Sequence, residues 1–250
     1  MLRRYMDGII LVQPYGKSDI FFTITCNPNW SEIKQELKNN DEVQNRPDLI
    51  VRIFKAKLEE LKHDLYKANI LGHVIAHIYV IEFQKRGIHH AHMLLVFNSE
   101  NKITCAEEVD RIVSYEIPNK NKYHRLYFVI VRYNMHGPCE NLNPKNVCME
   151  ANKSCKYKYP RDFCNITVFG QNSYPLYKRH DTNISIRVRD QMLNNQWVVP
   201  YNLYLSAKFD CHINVEVCSS IKVVTYLLSM FTKDMIVLIF QFLKMKQRRI

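Results

Sequence analysis

The chain has 250 residues, 47% of them hydrophobic and 12% aromatic, and it carries a formal net charge of +11. That length and composition exclude a disordered or fibrous chain, and they allow one large domain or two small ones. The charge suits a polyanionic partner, nucleic acid first and an anionic membrane second, while eight cysteines behind an N-terminus with no secretory pattern point to reduced thiols or a metal site rather than a disulfide framework.

In chain order, Ile20–Thr25 is β-branched and aromatic and is stopped by Asn27-Pro28-Asn29, so it predicts a buried strand. A helix is expected after Pro47, where Ile50, Ile53, Phe54, Leu58, Leu61 and Leu65 recur at helical spacing until Gly72. His73–Gln84 predicts a long strand, apolar on both faces as in the middle of a sheet. Arg86-Gly87-Ile88 predicts the turn, His90–Phe97 the returning strand, and Ala106–Glu116 a short helix.

Residues 117–215 are richer in Asn, Pro, Tyr and Cys and read as a loop-rich, cysteine-containing insertion, with strands near Leu126–Arg132 and His212–Val217. Ser219-Ser220 supplies N-cap chemistry for a helix from about Ile221 to Thr232. Val223–Leu243 is the only membrane suspect. Lys233-Asp234 falls in its middle, where each charge would cost roughly 2.5–3.5 kcal/mol, so a helix followed by a basic tail over residues 233–250 is expected instead. The chain shows no internal repeat. The order strand–helix–strand–strand–helix predicts an α+β fold, an antiparallel sheet backed by helices, for a domain spanning residues 1–232.

The sharpest local feature runs from Glu82 through Gln84 and Gly87 to His89-His90-Ala91-His92. His90 and His92 are two apart on a strand, so both imidazoles share a face. A three-residue turn centred on Gly87 would set Glu82 across from His92 and Gln84 across from His90; a two-residue turn would send Glu82 to the other face. Two imidazoles and a carboxylate leave coordination positions open, which suits a divalent ion gripping a phosphate oxygen. The plainer alternative is a pair of structural histidines on a half-exposed strand.

A second cluster, His136, Cys139, Cys148 and Cys155, with Cys164 nearby, offers soft ligands for a structural zinc ion, or else separately buried reduced cysteines. Cys211, His212 and Cys218 make a weaker group. Gly16-Lys17-Ser18 mimics the end of a phosphate-binding loop, but Leu11 stands where its first glycine belongs. No other segment resembles a nucleotide-binding loop, so neither ATP nor a helicase domain is expected.

These residues carry a resemblance. Arg4-Tyr5-Met6-Asp7, Thr25–Trp30, Arg46–Leu49 and Tyr79–His92 resemble the N-terminal helicase-like region of Helitron transposons. The likeness continues through Met135–Cys139, Asn143-Pro144, Cys148-Met149, Tyr174-Pro175 and Asn214–Glu216 to about Tyr226, in the family's order. The resemblance implies a nuclease of the histidine–hydrophobe–histidine (HUH) class, related to rolling-circle replication initiators, acting on single-stranded DNA in the nucleus. It implies that Glu82, His90 and His92 bind Mg2+ or Mn2+, with Gln84 in support. It also implies a tyrosine nucleophile that forms a 5′-phosphotyrosine and a free 3′-hydroxyl. Ala91 fills the hydrophobe slot, and His89 sits where the family usually has proline.

Of the family's two helical tyrosines, Tyr226 fits the first, while Met230 stands at the second and Ser229 at the lysine before it. A helical wheel puts Tyr226 on a face with Lys222, Ser229 and Lys233, opposite Val223, Val224, Leu227, Leu228 and Phe231. After Phe231 the likeness fades, as a truncated or frame-shifted copy or a splice end would produce. Three readings follow: a metal-dependent single-strand endonuclease and strand transferase, an impaired DNA-binding remnant, or a decayed relic.

Overall fold

The computed structural model describes residues 17–38, 41–83, 88–168, 175–218 and 236–242. The chain divides into two units. Unit 1 comprises residues 1–104, 171–174 and 215–250, and unit 2 comprises residues 105–170 and 175–214. The expected α+β class with an antiparallel sheet is what is found.

Unit 1 is built on a five-stranded sheet of order β6-β1-β3-β2-β7, formed by β1 (Ile20–Thr25), β2 (Val74–Phe83), β3 (His89–Phe97), β6 (Ile213–Val217) and β7 (Ile236–Phe242). The β1–β3, β2–β3 and β2–β7 pairs are antiparallel. On β1 and β3 the face toward the helix Pro47–Tyr66 is apolar but for His89: Ile20, Phe22, Ile24, Met93, Leu95 and Phe97 are fully buried. The run read as a tail after Phe231 therefore contains an edge strand, Ile236–Phe242, laid along β2. The helix expected at residues 221–232 lies outside the described residues.

Among the described residues this unit carries two helices, α1 (Ser31–Glu36) and α2 (Pro47–Tyr66). Pro47 at the first helical position starts α2 where a missing N–H costs nothing. Leu49, Ile50, Phe54, Leu58, Leu61 and Leu65 make its buried stripe, each contributing about 1.5–3 kcal/mol by leaving water. Tyr66 stacks on His77 at 4.0 Å, Lys62 donates to the Tyr79 hydroxyl at 2.7 Å, and Phe54 lies 6.0 Å from His89. The helix thus covers the sheet face that carries His77, Tyr79 and His89. Since side chains alternate along a strand, His90, His92, Val80 and Glu82 belong to the opposite face.

Unit 2 carries α3 (Ala106–Ile112), α4 (His124–Tyr133), α5 (Leu203–Phe209) and a hairpin of β4 (Ile186–Val188) and β5 (Gln191–Leu193). The hairpin closes through Arg189 and Asp190, both at positive φ, as a two-residue turn matched to strand twist requires. Leu126–Arg132, expected as a strand from its aromatic and β-branched residues, is helical instead. Leu126, Val129 and Ile130 are its buried residues, a spacing that forms one stripe only on a helix. α3 stops at Ile112 rather than Glu116 because the chain turns extended and Ser114 pairs with Tyr201.

The core of unit 2 joins Leu126, Ile130, Met135, Tyr159, Leu193, Trp197, Val198 and Tyr201 to three cysteines. Asparagines satisfy the loop backbone. Asn195 accepts from Ile117 N–H and donates to His180 C=O, and Asn202 caps α5 while donating to Ile112 C=O. Among the described residues, no helix is long and apolar enough to cross a membrane.

Candidate metal sites

The first site grows out of the β1–β3–β2 ladder. His92 faces Thr23 on one side and Val80 on the other, and His90 faces Thr25 and Glu82. The register differs from the expected one by two residues. Phe83 pairs with His89, so the connection is longer than a three-residue turn, and Glu82 stands across from His90 rather than His92. A two-residue shift preserves the face. All three groups therefore remain on the side of the sheet away from α2. Gln84, expected in support, lies outside the described residues.

The side chains converge as the ladder dictates. The imidazoles of His90 and His92 lie parallel with centroids 6.2 Å apart. Glu82 Oε2 is 3.4 Å from His92 Nε2, close to the roughly 3–3.5 Å between two donors that each hold one small divalent ion at about 2.1 Å. Nδ1 of His92 lies 2.9 Å from Thr23 Oγ1, and Nδ1 of His90 lies 2.8 Å from Thr25 Oγ1. Phe21, two residues before Thr23, stacks on His92 at 5.9 Å and fixes the ring plane.

The threonines are the residues that sequence reasoning missed. Their signal was present as Thr23-x-Thr25 on a strand, but only the pairing with β3 gives it meaning. His89 takes no part in this group; it is buried on the α2 face, and burial holds its pKa below the ordinary value.

The second site lies wholly within unit 2. His136, Cys139, Cys148 and Cys155 come together with their donor atoms all within 4.8 Å of one another, a group that could hold a metal such as Zn2+. His136 follows the end of α4 and ties its own backbone to Trp197 C=O, while its ring stacks on Tyr159 at 4.2 Å. Glu140 accepts from the Cys155 N–H at 2.7 Å, and Cys148 C=O accepts from Lys156 N–H, so the two cysteine-bearing turns are cross-tied. Burial, with Arg161 and Arg189 nearby, lowers the His136 pKa to about 4. Burial raises the Cys139 and Cys148 thiols; it pushes Cys155 the same way, but hydrogen bonds from the Tyr159 and Tyr157 backbone and from the neighbouring cysteines together bring that thiol down.

Cys164 is not part of this group; its thiol donates to Ile166 C=O. Cys211, His212 and Cys218 form no comparable group among the described residues; His212 Nδ1 sits against Tyr133 C=O at 2.8 Å. Tyr226 and Lys222, the expected nucleophile and its basic neighbour, lie outside the described residues.

Compared with known families, residues 1–95 match the model of the Helitron helicase-like domain at the N-terminus. The match includes Thr23, Thr25, Glu82, His90 and His92. No curated protein matches the chain.

Proposed function

We propose that this chain, whose residues 1–95 match the Helitron helicase-like N-terminal domain, is a metal-dependent single-strand DNA endonuclease and strand transferase acting in the nucleus. The observation that carries the reading is the threonine-braced arrangement of Glu82, His90 and His92 on one sheet face. With each Nδ1–H donating to its threonine, both rings present the Nε2 lone pair, the tautomer that a metal ligand needs. Two imidazoles and one carboxylate fit Mg2+ or Mn2+ with positions left for phosphate oxygens. A bound ion there would polarise the scissile phosphate and offset its developing charge.

In this reading Tyr226 Oη gives up its proton and attacks the phosphorus. The P–O bond to the 3′ oxygen breaks and that oxygen takes up a proton from water in exchange for the one Tyr226 released, leaving a 5′-phosphotyrosine and a free 3′-hydroxyl. Attack by a 3′-hydroxyl in the reverse sense rejoins a strand, because the phosphodiester energy is kept in the tyrosyl link. Lys222, four residues before Tyr226 in sequence, would hold the DNA backbone. In unit 2 the exposed rings of Tyr123 and Phe128 lie beside Lys122 and Lys120, a pairing of ring face and cation that suits unstacked bases.

A second reading is favoured by Met230 and Ser229, which replace the second tyrosine and its lysine: a remnant that holds DNA without cutting it. The deciding experiment incubates the purified chain with labelled single-stranded oligonucleotides, element ends included, and Mn2+ or Mg2+. A denaturant-resistant protein–DNA adduct, lost in both Tyr226→Phe and His90→Ala, is expected. Binding without any adduct would favour the remnant, and an adduct surviving in Tyr226→Phe would mean that another residue is the nucleophile.

A further inference from the structure

We propose that His136, Cys139, Cys148 and Cys155 form a closed Cys3His zinc site that holds the loop-rich fold of unit 2 together, separate in chemistry from the Glu82–His90–His92 centre. The ligands arrive in the pattern His-x2-Cys-x8-Cys-x6-Cys from three consecutive turns. Those turns have little regular structure of their own. Between Met135 and Tyr159 the backbone offers only a short 3-10 turn at Glu140–Leu142 and isolated bridges, so something other than a ladder must fix their shape.

The donor spacing fits a tetrahedron to within about 1 Å. Zinc–sulfur bonds of about 2.3 Å and zinc–nitrogen bonds of about 2.0–2.1 Å set a sulfur–nitrogen edge of roughly 3.6 Å. Cys155 Sγ lies 3.5 Å from His136 Nε2. The remaining donors fall within the 4.8 Å limit, about 1 Å from the roughly 3.8 Å sulfur–sulfur edge of the same tetrahedron. All eight cysteines carry free sulfurs, so the closeness is not that of a disulfide.

The surroundings of Cys155 suit a bound thiolate. Backbone N–H groups of Tyr157 and Tyr159 are directed at the Cys155 sulfur, two to four residues ahead of it, as a chain wrapping around a metal-bound thiolate places them. Three thiolates on a divalent ion leave one net negative charge, and Arg161 and Arg189 bear on the site from the His136 side. The guanidinium of Arg189 packs where a Cβ on Gly137 would be, so the residue after His136 must be small for that charge to come close.

Softness separates the two centres. Thiolates select zinc over Mg2+ and Mn2+, whereas a carboxylate with two imidazoles does not. Four protein ligands also fill a tetrahedron, and Cys139, Cys148 and Cys155 are at most 3% exposed. With no open position for water or substrate, the role is structural.

The test is metal analysis of the full chain purified from zinc-replete cells. About one tightly held zinc per chain is expected, lost in Cys148→Ser with Cys155→Ser and kept in His90→Ala with His92→Ala. Should the cysteine variant fail to fold, the wild-type chain loaded with cobalt(II) decides: intense thiolate-to-cobalt charge-transfer bands and tetrahedral visible bands are expected. A zinc-free chain, iron in place of zinc, zinc retained without the cysteines, or an octahedral cobalt spectrum would overturn the site. None of these readouts depends on DNA cleavage, so failure of the nuclease reading would leave the zinc result standing, and the reverse also holds.

Discussion

Glu82 stands directly across the β2–β3 ladder from His90, yet its carboxylate reaches 3.4 Å from Nε2 of His92, one step along the same face. A long acidic side chain on a strand spans such a diagonal readily, and the result is a carboxylate at the His92 ring from a residue paired with His90. Each of those rings is braced from behind by a threonine of β1, at 2.9 Å for Thr23 and 2.8 Å for Thr25. Replacing both threonines with valine keeps their shape and removes the hydroxyls. Groups that orient ligands in this way are typically worth 10–100-fold in metal affinity, so Thr23→Val with Thr25→Val should weaken Mn2+ binding by about that factor, with the melting temperature little changed. Isothermal titration of Mn2+ into wild type and variant measures it. Equal affinities would make the threonines ordinary ladder neighbours.

Gly72 sits at φ +135°, a backbone conformation that side-chain-bearing residues avoid, and a Cβ there would come within 3.3 Å of Asn101 Cβ. Asn101 is not at liberty to retreat, since its Oδ1 accepts from His73 N–H at 3.0 Å just before β2 begins. Gly72→Ala should therefore cost about 1–3 kcal/mol. Gly137→Ala should cost less, below about 1 kcal/mol, because the atom it meets is the tip of the flexible Arg189 side chain. Urea unfolding of the two variants checks the order; equal losses would contradict the strain argument.

Much of unit 1 was legible from local pattern. Ile20–Thr25 has the predicted limits, and the α2 stripe differs from the expected set by little more than Leu49, which is buried where Ile53 is only half-buried. The register of β2 against β3 was not legible, because it depends on how many residues the connection spends between Phe83 and His89. Parity survived that error, and with it the face shared by Glu82, His90 and His92. Leu126–Arg132 misled for another reason: Phe128, Val129, Ile130 and Val131 favour strands by composition, and only burial of Leu126, Val129 and Ile130 on one side shows the helical period. The convergence of His136 with Cys139, Cys148 and Cys155 was readable as spacing, but its distances depend on three turns that no propensity predicts.

Asp19 links the start of β1 to the end of β3. Its Oδ2 accepts from Phe97 N–H and from Lys102, both at 2.7 Å, and the residue is 3% exposed. Burial raises the carboxyl above its ordinary value of 3.8, against the pull of Lys102 and the Phe97 N–H. A raised folded value means that the folded chain binds the proton more tightly than the unfolded chain does. The contribution of that proton is fully present below pH 3.8 and is lost as pH rises through the folded value. The stability of wild type relative to Asp19→Asn should thus decline with rising pH across that window and level off above it. Urea midpoints measured in parallel through the acid range test this. A difference that grows with pH would mean that the Lys102 ion pair outweighs burial.

Arg179 is a buried cation held by carbonyls. It is 3% exposed, and its Nη1 donates to Tyr115 C=O at 3.0 Å and Asn195 C=O at 2.5 Å, joining three segments of unit 2 far apart in sequence. Its backbone pairs with Cys164 as well, so the side chain is presented from a fixed base. Arg179→Ala would leave Tyr115 C=O without this donor, at about 1–3 kcal/mol, while Asn195 C=O keeps the Val198 N–H, and it would open a cavity besides. A loss of roughly 3–6 kcal/mol is expected on those two terms together. Lysine keeps the charge but not the planar fork, so Arg179→Lys should recover less than half of that loss. Arg187 supplies the contrast within the same unit. Its ion pair with Asp190 joins side chains that are 75% and 86% exposed, and Arg187→Ala should fall within about 0.5 kcal/mol of wild type. Thermal unfolding of the three variants reads the order directly. If Arg179→Ala melts with wild type, the guanidinium fills space without holding the loops, and the asparagine bonds at Asn195 and Asn202 must hold them instead.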